Sequence, residues 1–163
     1  MSSTVKLRLL FIAILAIAAL SEFFILGLAR RTFVFYTINE RVISVEDRML
    51  KRSKSREDDI IRYTDEMLLG PVAPDLLPLF PRETRLKSLL YRNGVVFVDL
   101  SADAALPPIE GGSLLDNFRT FHDGILRNFS YVKDVRFFID GKTVYIEEFW
   151  PETVAIRQEF SDN

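Results

Sequence analysis

The stretch NGVVFVDLS, residues 93–101, ends in an acid and a hydroxyl two positions apart, Asp99 and Ser101, and the chain holds one histidine, His122. A serine nucleophile needs a base to take its proton and an acid to orient that base. Asp99, Ser101 and His122 are therefore the trio from which a hydrolase would be built. A structural reading competes with it. A short acid leaving a strand is suited to accept hydrogen bonds from the backbone of the following turn, here residues 101–103, or from the Ser88 hydroxyl. His122 stands beside Asp123 on the helical face of Leu115, Phe118 and Leu126, the position of a histidine at the edge of a core. The structural reading is adopted: no catalytic residue is assigned, the chain is expected not to be an enzyme, and the hydrolase is kept as the lesser alternative.

Other chemistries find less material. With no cysteine there is no disulfide, no thiolate metal site and no lipid-modified cysteine. One histidine leaves only carboxylates as metal ligands, and Glu57, Asp58, Asp59, Glu147 and Glu148 fit solvent faces. No metal and no cofactor are expected. Gly111-Gly112 precedes a helix but lacks the rest of a phosphate loop, so an anion at that helix start is the most it offers. A net charge of −2 with 27% charged residues excludes a strongly basic nucleic-acid binder. Phe149 and Trp150, in EEFWP, are either packed on a sheet or form a surface for a protein partner or a cell-wall glycan.

The elements that would position these residues begin with an apolar run. Leu9 to Ala29 is 21 residues long with one charge, Glu22, flanked by Lys6 and Arg8 on one side and Arg30 and Arg31 on the other. As a helix it spans roughly 31 Å, about the thickness of a bilayer core. It is read as an uncleaved transmembrane signal anchor. A secretory signal cut after Ala18 or Ser21 and a buried soluble helix are the alternatives. Glu22 either snorkels or meets another membrane helix. The basic residues on the two sides, with Arg41 counted beyond the segment, nearly balance, so charge alone leaves orientation open.

A chain of 163 residues has room for one domain. The expected division is a short segment at 1–8, the anchor at 9–29, an α+β domain at 32–150 and a tail at 151–163. Residues 32–37 and 41–50 read as paired strands. KRSK at 51–54 reads as a solvated turn, with a lipid-headgroup patch as the alternative. Ser55 with Asp58, and Ser113 with Asp116, mark two helix starts. Ile60, Ile61, Thr64, Met67 and Leu68 form the first apolar face, closed by Gly70-Pro71. Leu114, Leu115, Phe118, Phe121, Ile125, Leu126 and Phe129 form the second. A proline-rich crossover, residues 70–81, lies between the helices.

Asn93-Gly94 suits a type I′ turn and pairs Ser88 with Asp99, Leu89 with Val98 and Leu90 with Phe97. Both faces of that ribbon are apolar, which suggests a central place in the sheet. Asp140-Gly141 makes a second hairpin, Val135 facing Ile146 and Phe137 facing Val144. The resulting order, β-β-α-β-β-α-β-β, implies one mixed sheet with two helices on one face.

MLLGP (67–71), FPRET (80–84), NGVVFVDLS (93–101) and VKDVRFFIDGK (132–142) resemble the sequence blocks of the GerMN domain, in its order and at about its spacings, over roughly residues 33–148. On that resemblance Gly70, Pro71, Pro81, Thr84, Asn93, Gly94, Asp99, Ser101, Asp140 and Gly141 fall in family motifs as structural residues. The family implies an extracytoplasmic, non-catalytic domain of bacterial membrane-linked envelope complexes. The expected role is a scaffold that binds other envelope proteins, self-association included, at the cytoplasmic membrane. Peptidoglycan binding is the alternative, and no nucleic acid is expected.

Overall fold

The computed structural model describes residues 8, 10–17, 27–38, 42–106 and 113–144. Residues 145–163 lie outside them, and so do Glu22, Arg41, Gly111 and Gly112. The chain turns at Gly27, where φ is 53°, and enters strand β1 (Leu28–Thr37) directly. The apolar segment therefore ends before Leu28, two residues short of the expected Ala29. Leu28 and Ala29 pair with Lys51 and Leu50 in a sheet instead of closing a helix. Residues 10–17 are helical, while Leu9 and residues 18–26 are outside the description. Among the described residues no helix is long and apolar enough to cross a membrane.

β1 pairs antiparallel with β2 (Ile43–Lys51) from Leu28↔Lys51 to Tyr36↔Ile43. Side chains alternate across a strand, so Phe33 and Phe35 share one face with Glu46 and Arg48, and both rings are fully buried. Helix α1 (Arg56–Leu69) follows, its Asp58 N–H donating to the Ser55 hydroxyl at 3.0 Å. Gly70 ends it at φ 86°, with its N–H bonded to Met67 O. The buried face comprises Ile60, Tyr63, Thr64, Met67 and Leu68. Tyr63 was not on the expected face, because an aromatic with a polar tip counts poorly in an apolar periodicity, and Ile61 is only half-buried.

The crossover is less irregular than its prolines imply. Its Leu76–Leu77 forms a two-residue strand, β3, on the far edge of β1. Next come β4 (Leu86–Arg92), β5 (Val95–Leu100), a 3₁₀ turn (Ala102–Ala105), helix α2 (Leu114–Asn128), β6 (Asp134–Ile139) and β7 (Lys142–Thr143). Asn93 and Gly94, with φ 53° and 87°, and Asp140 and Gly141, with φ 54° and 76°, make the two tight turns. The register is Ser88↔Asp99, Leu89↔Val98 and Leu90↔Phe97. In the second hairpin Val144 N–H reaches Phe137 O at 2.9 Å, while Ile146 is outside the description.

The strands form two sheets, β2-β1-β3 and β4-β5-β6-β7, where one mixed sheet was expected. The observed order departs from the expected one by β3 and the 3₁₀ turn. β4 is an edge strand, not a central one, and Leu90 on it is 51% exposed. β5 and β6 run parallel, a pairing that needs a long crossover, and α2 supplies it. Phe80, Phe118, Phe121 and Phe137 meet at 5.0–5.8 Å, edge to face except for the tilted pair Phe121–Phe137, and join both sheets in one core.

α1 and α2 meet at Gly124, where an added Cβ would lie 2.5 Å from the Tyr63 hydroxyl. Tyr63 is held by stacking on Phe33 (4.6 Å) and by the edge of Phe129 (5.6 Å). In an open helix, glycine to alanine gains about 1 kcal/mol, whereas overpacking a core costs about 1–3 kcal/mol. The clash should win. Gly124→Ala is expected to lower stability, and Tyr63→Phe in the same chain to recover part of the loss. Denaturant unfolding of the four proteins in a double-mutant cycle measures this, and additivity of the two changes would disprove the contact.

Burial also raises the pKa of the Tyr63 phenol above its ordinary 10. An acid whose pKa is raised on folding leaves stability intact below its unfolded pKa, and stability falls as pH rises past it. Stability should therefore decline above pH ~10, and Tyr63→Phe should flatten that decline. Tyr131, raised by burial as well, accounts for a remainder. A slope identical in wild type and Tyr63→Phe would refute the assignment.

Candidate functional site

The residues singled out for chemistry gather where β5 ends. Alternation along β5 buries Val96, Val98 and Leu100 and leaves Val95, Phe97 and Asp99 half-buried. Only one face is sealed, and Asp99 lies on the other. Its carboxylate accepts the Gly141 N–H at 3.0 Å. The expected partners were the 101–103 backbone and Ser88. Parallel pairing of β5 with β6 sets Asp99 beside Phe138, close to the turn after β6, and this brings the Gly141 amide within reach.

Ser101 is also committed. Its hydroxyl accepts the Arg85 N–H at 3.0 Å and donates to the Asp103 carboxylate at 2.9 Å, while its own N–H reaches Arg85 O at 2.9 Å. Arg85 folds back with its guanidinium on the carbonyls of Arg82 and Thr84, and the Thr84 N–H bonds to Pro81 O. Thr84 itself is buried. A register shift between Leu86 and Ser88 re-aims Lys87, as bulges do. The Lys87 ammonium then reaches across the end of β5 to the Asp140 carboxylate. That contact raises the lysine pKa and lowers that of Asp140. Both groups are exposed, so the pair orients the turn more than it stabilises the fold. Three loops, 81–85, 101–105 and 140–141, are thereby tied to the exit of one strand.

His122 is carried by a different element. It lies on α2 with its Nδ1 2.9 Å from the Asp123 carboxylate, and the Ser101 proton goes to Asp103, not to an imidazole. The trio is not assembled as a nucleophile, base and orienter. Gly70 and Pro71 belong to a different place, the end of α1, where Gly70 O accepts from Arg48 at 2.7 Å. Among the described residues no group of three or more His, Cys, Asp or Glu side chains could hold a metal. Phe149 and Trp150 are outside the description.

Lys87 and Arg85 were missed in the sequence because a bulge leaves no signature in periodicity. Arg48 was readable: Glu46 and Arg48 are two apart in a strand whose alternation turns both toward the core.

Asp99→Ala should lower stability by about 1–2 kcal/mol, the cost of leaving the Gly141 N–H with a poorer partner. Ser101→Ala should cost a similar amount, since it removes two bonds, and His122→Ala less. Thermal unfolding of the three variants measures this. Three variants as stable as wild type would show that the strand exit is not held by these groups.

The family model described as Germane, sporulation and spore germination, matches residues 34–145. The chain is similar to the tandem GerMN domains of the sporulation protein GerM from Bacillus subtilis, with 20% identity and a TM-score of 0.52 over 71% of this chain and 40% of that one. The first GerMN domain of the same protein aligns with 19% identity and a TM-score of 0.45, over 71% of this chain and 86% of that one. A Clostridium perfringens chain named as a candidate lipoprotein aligns at 18% identity and a TM-score of 0.46, over 72% and 78% of the two chains. No curated protein matches. A family match over most of the chain, on a fold shared with GerM, has one consequence: the chain belongs to the Germane family of sporulation and spore germination proteins, as a GerMN-like domain.

Proposed function

We propose that this chain is a membrane-anchored, extracytoplasmic GerMN-like domain that serves as a non-catalytic interaction module in a cell-envelope complex. One observation carries the anchor. In the helical residues 10–17, Leu10, Phe11, Ile12, Ile14, Leu15 and Ile17 are each 55–66% exposed. Burying six such side chains is worth on the order of 10 kcal/mol, and a bilayer is the environment that can cover a helix apolar on all sides. β1 begins at Leu28, next to the end of the apolar run in the sequence, so on this reading the domain would sit close against the membrane that holds it.

The non-catalytic reading is supported by how the motif residues use their polar atoms. Asp99, Ser101 and Asp140 hold loops, and Gly70, Asn93, Gly94 and Gly141 supply the positive φ that a helix end and two turns need. Their roles build the fold and require no substrate. Other envelope proteins, or further copies of the chain, are the partners this reading assigns.

The intact protein should stay in the membrane fraction through high salt and alkaline carbonate, and a protease added outside the cytoplasmic membrane should digest the domain. A domain protected in cells with a permeabilised outer layer would reverse the orientation. A mature chain starting near Ala19 or Glu22 would replace the anchor by a secretion signal. Crosslinking in native membranes should then retrieve an envelope protein or a second copy.

A further inference from the structure

The outer face of β2 is largely apolar and exposed, while its β1 neighbours on that face are covered, Val34 being buried and Tyr36 bonded to Thr120. Ile43, Val45 and Met49, at alternate positions on one face of β2, are 62%, 52% and 53% exposed. The single acid on the β2 side of that face, Asp47, is occupied by the Arg30 guanidinium and the Thr32 hydroxyl. Its pKa is lowered by those bonds.

One end of the face is cationic, and the chain itself says which end. Lys51 pairs with Leu28, and the Arg52 N–H bonds to Gly27 O at 2.7 Å. Lys51, Arg52 and Lys54, all exposed, therefore lie level with the point where β1 leaves the apolar segment. The acids nearby are largely spent: Asp59 accepts the Ser53 N–H and faces Arg31, and Glu57 accepts the Tyr91 N–H, leaving Asp58 at the helix start.

On the anchor reading the apolar run ends where Gly27 and β1 begin, and Gly27 then stands at the membrane boundary. A nine-residue strand is about 30 Å long. If the ribbon stood upright, Ile43 and Val45 would be held in water far from the membrane. If it lies along the surface, all three apolar side chains reach the interface together and the cations meet phosphates.

We propose that the outer face of β2 lies on the bilayer surface, with Ile43, Val45 and Met49 at the headgroup–acyl boundary and Lys51 and Arg52 on anionic phospholipid headgroups. This placement rests on the anchor reading above.

The chain has no cysteine, so single nitroxide labels can be placed without background. Full-length Val45→Cys, Met49→Cys and, as a control on the other sheet, Lys142→Cys would be reconstituted in vesicles of phosphatidylcholine with or without phosphatidylglycerol. Labels at 45 and 49 should lose access to a nickel chelate several-fold and gain access to oxygen, while the label at 142 should not. Lys51→Glu with Arg52→Glu should weaken that protection in the phosphatidylglycerol vesicles and leave it unchanged in the others. Extraction by carbonate would overturn the anchor and this placement with it. Retention in the membrane with water-accessible labels at 45 and 49 would overturn the placement alone. Protection that disappears as the protein is diluted within the vesicles would identify a second copy as the occupant and equally overturn it.

Discussion

The packing of this domain depends on how β1 acquires a second neighbour. β2 occupies one edge along nine residue pairs, but on the other edge β3 reaches only Tyr36 and Thr37. An open edge beside a core would strand peptide groups at about 1–3 kcal/mol each. Asn128, the last residue of α2, fills the place: its Oδ1 accepts the Thr32 N–H at 2.9 Å and its Nδ2 donates to Thr32 O at 2.7 Å. These are the two bonds that an opposed strand residue would exchange. The second Nδ2 proton goes to Gly124 O, so the network itself sets which way the amide points. Four residues up the strand and eight back along the helix, the Tyr36 and Thr120 hydroxyls meet at 2.7 Å. Eight helical residues rise about 12 Å and four strand residues about 13 Å. α2 can therefore run beside β1 where a strand would otherwise be.

That arrangement dictates what must happen to α1. With α2 held against the β1 edge, Tyr63 has to pass between them, and only a residue without Cβ at position 124 leaves room. The far end of α1 is tied by different means. Its last turn contains no basic residue, although the carbonyls there lack intrahelical partners and carry the negative end of the helix dipole. Arg48 reaches in from β2, donating to the carbonyls of Glu66 and Gly70 and to the Glu66 carboxylate, with its guanidinium 4.7 Å over the Phe33 ring. Glu46 completes the set through a bond from Arg48 Nε and one from the Val72 N–H. Burial pushes the Glu46 pKa up, but those bonds outweigh it and leave it lowered. The charged pair is thus fully engaged, the condition under which a partly buried ion pair is tolerated.

What was legible in the sequence follows from the range of the interactions. Helix caps, Gly70, the two tight turns, the first hairpin's register and the Phe137–Val144 pair of the second depend on neighbours within a few residues, and the sequence reading of each agrees with the structure. The division into two sheets, the parallel pairing of β5 with β6 and the role of α2 beside β1 depend on contacts such as Thr32 with Asn128, 96 residues apart. Nothing local encodes those. The strand exit shows both sides of this limit. Asp99 was expected to serve the backbone of a turn, and it does. The turn is 140–141, not 101–103, because the parallel register that delivers Gly141 is set by the α2 crossover. The end of the apolar segment was misplaced for a similar reason: Leu28 and Ala29 look like anchor until Lys51 and Leu50 are seen to pair with them.

A motif made of polar residues invites a catalytic reading, and the bonding pattern here argues against it on physical grounds. For Ser101 to attack anything, its proton would have to leave Asp103 for a base, and its oxygen would have to release the Arg85 N–H. The first step loosens the 101–105 loop, and the second gives up one of the two bonds that tie Arg85 to Ser101. Asp99 would likewise have to abandon the Gly141 amide that holds the β6–β7 turn. Residues whose chemistry can be used only by dismantling the strand exit are better understood as the means of making it. On the non-catalytic reading proposed above, the motifs that carry the family resemblance describe how the domain folds. What distinguishes its partners must be sought in side chains the fold leaves unused, and beyond the helical residues 10–17 one such set is apolar, on the outer face of β2.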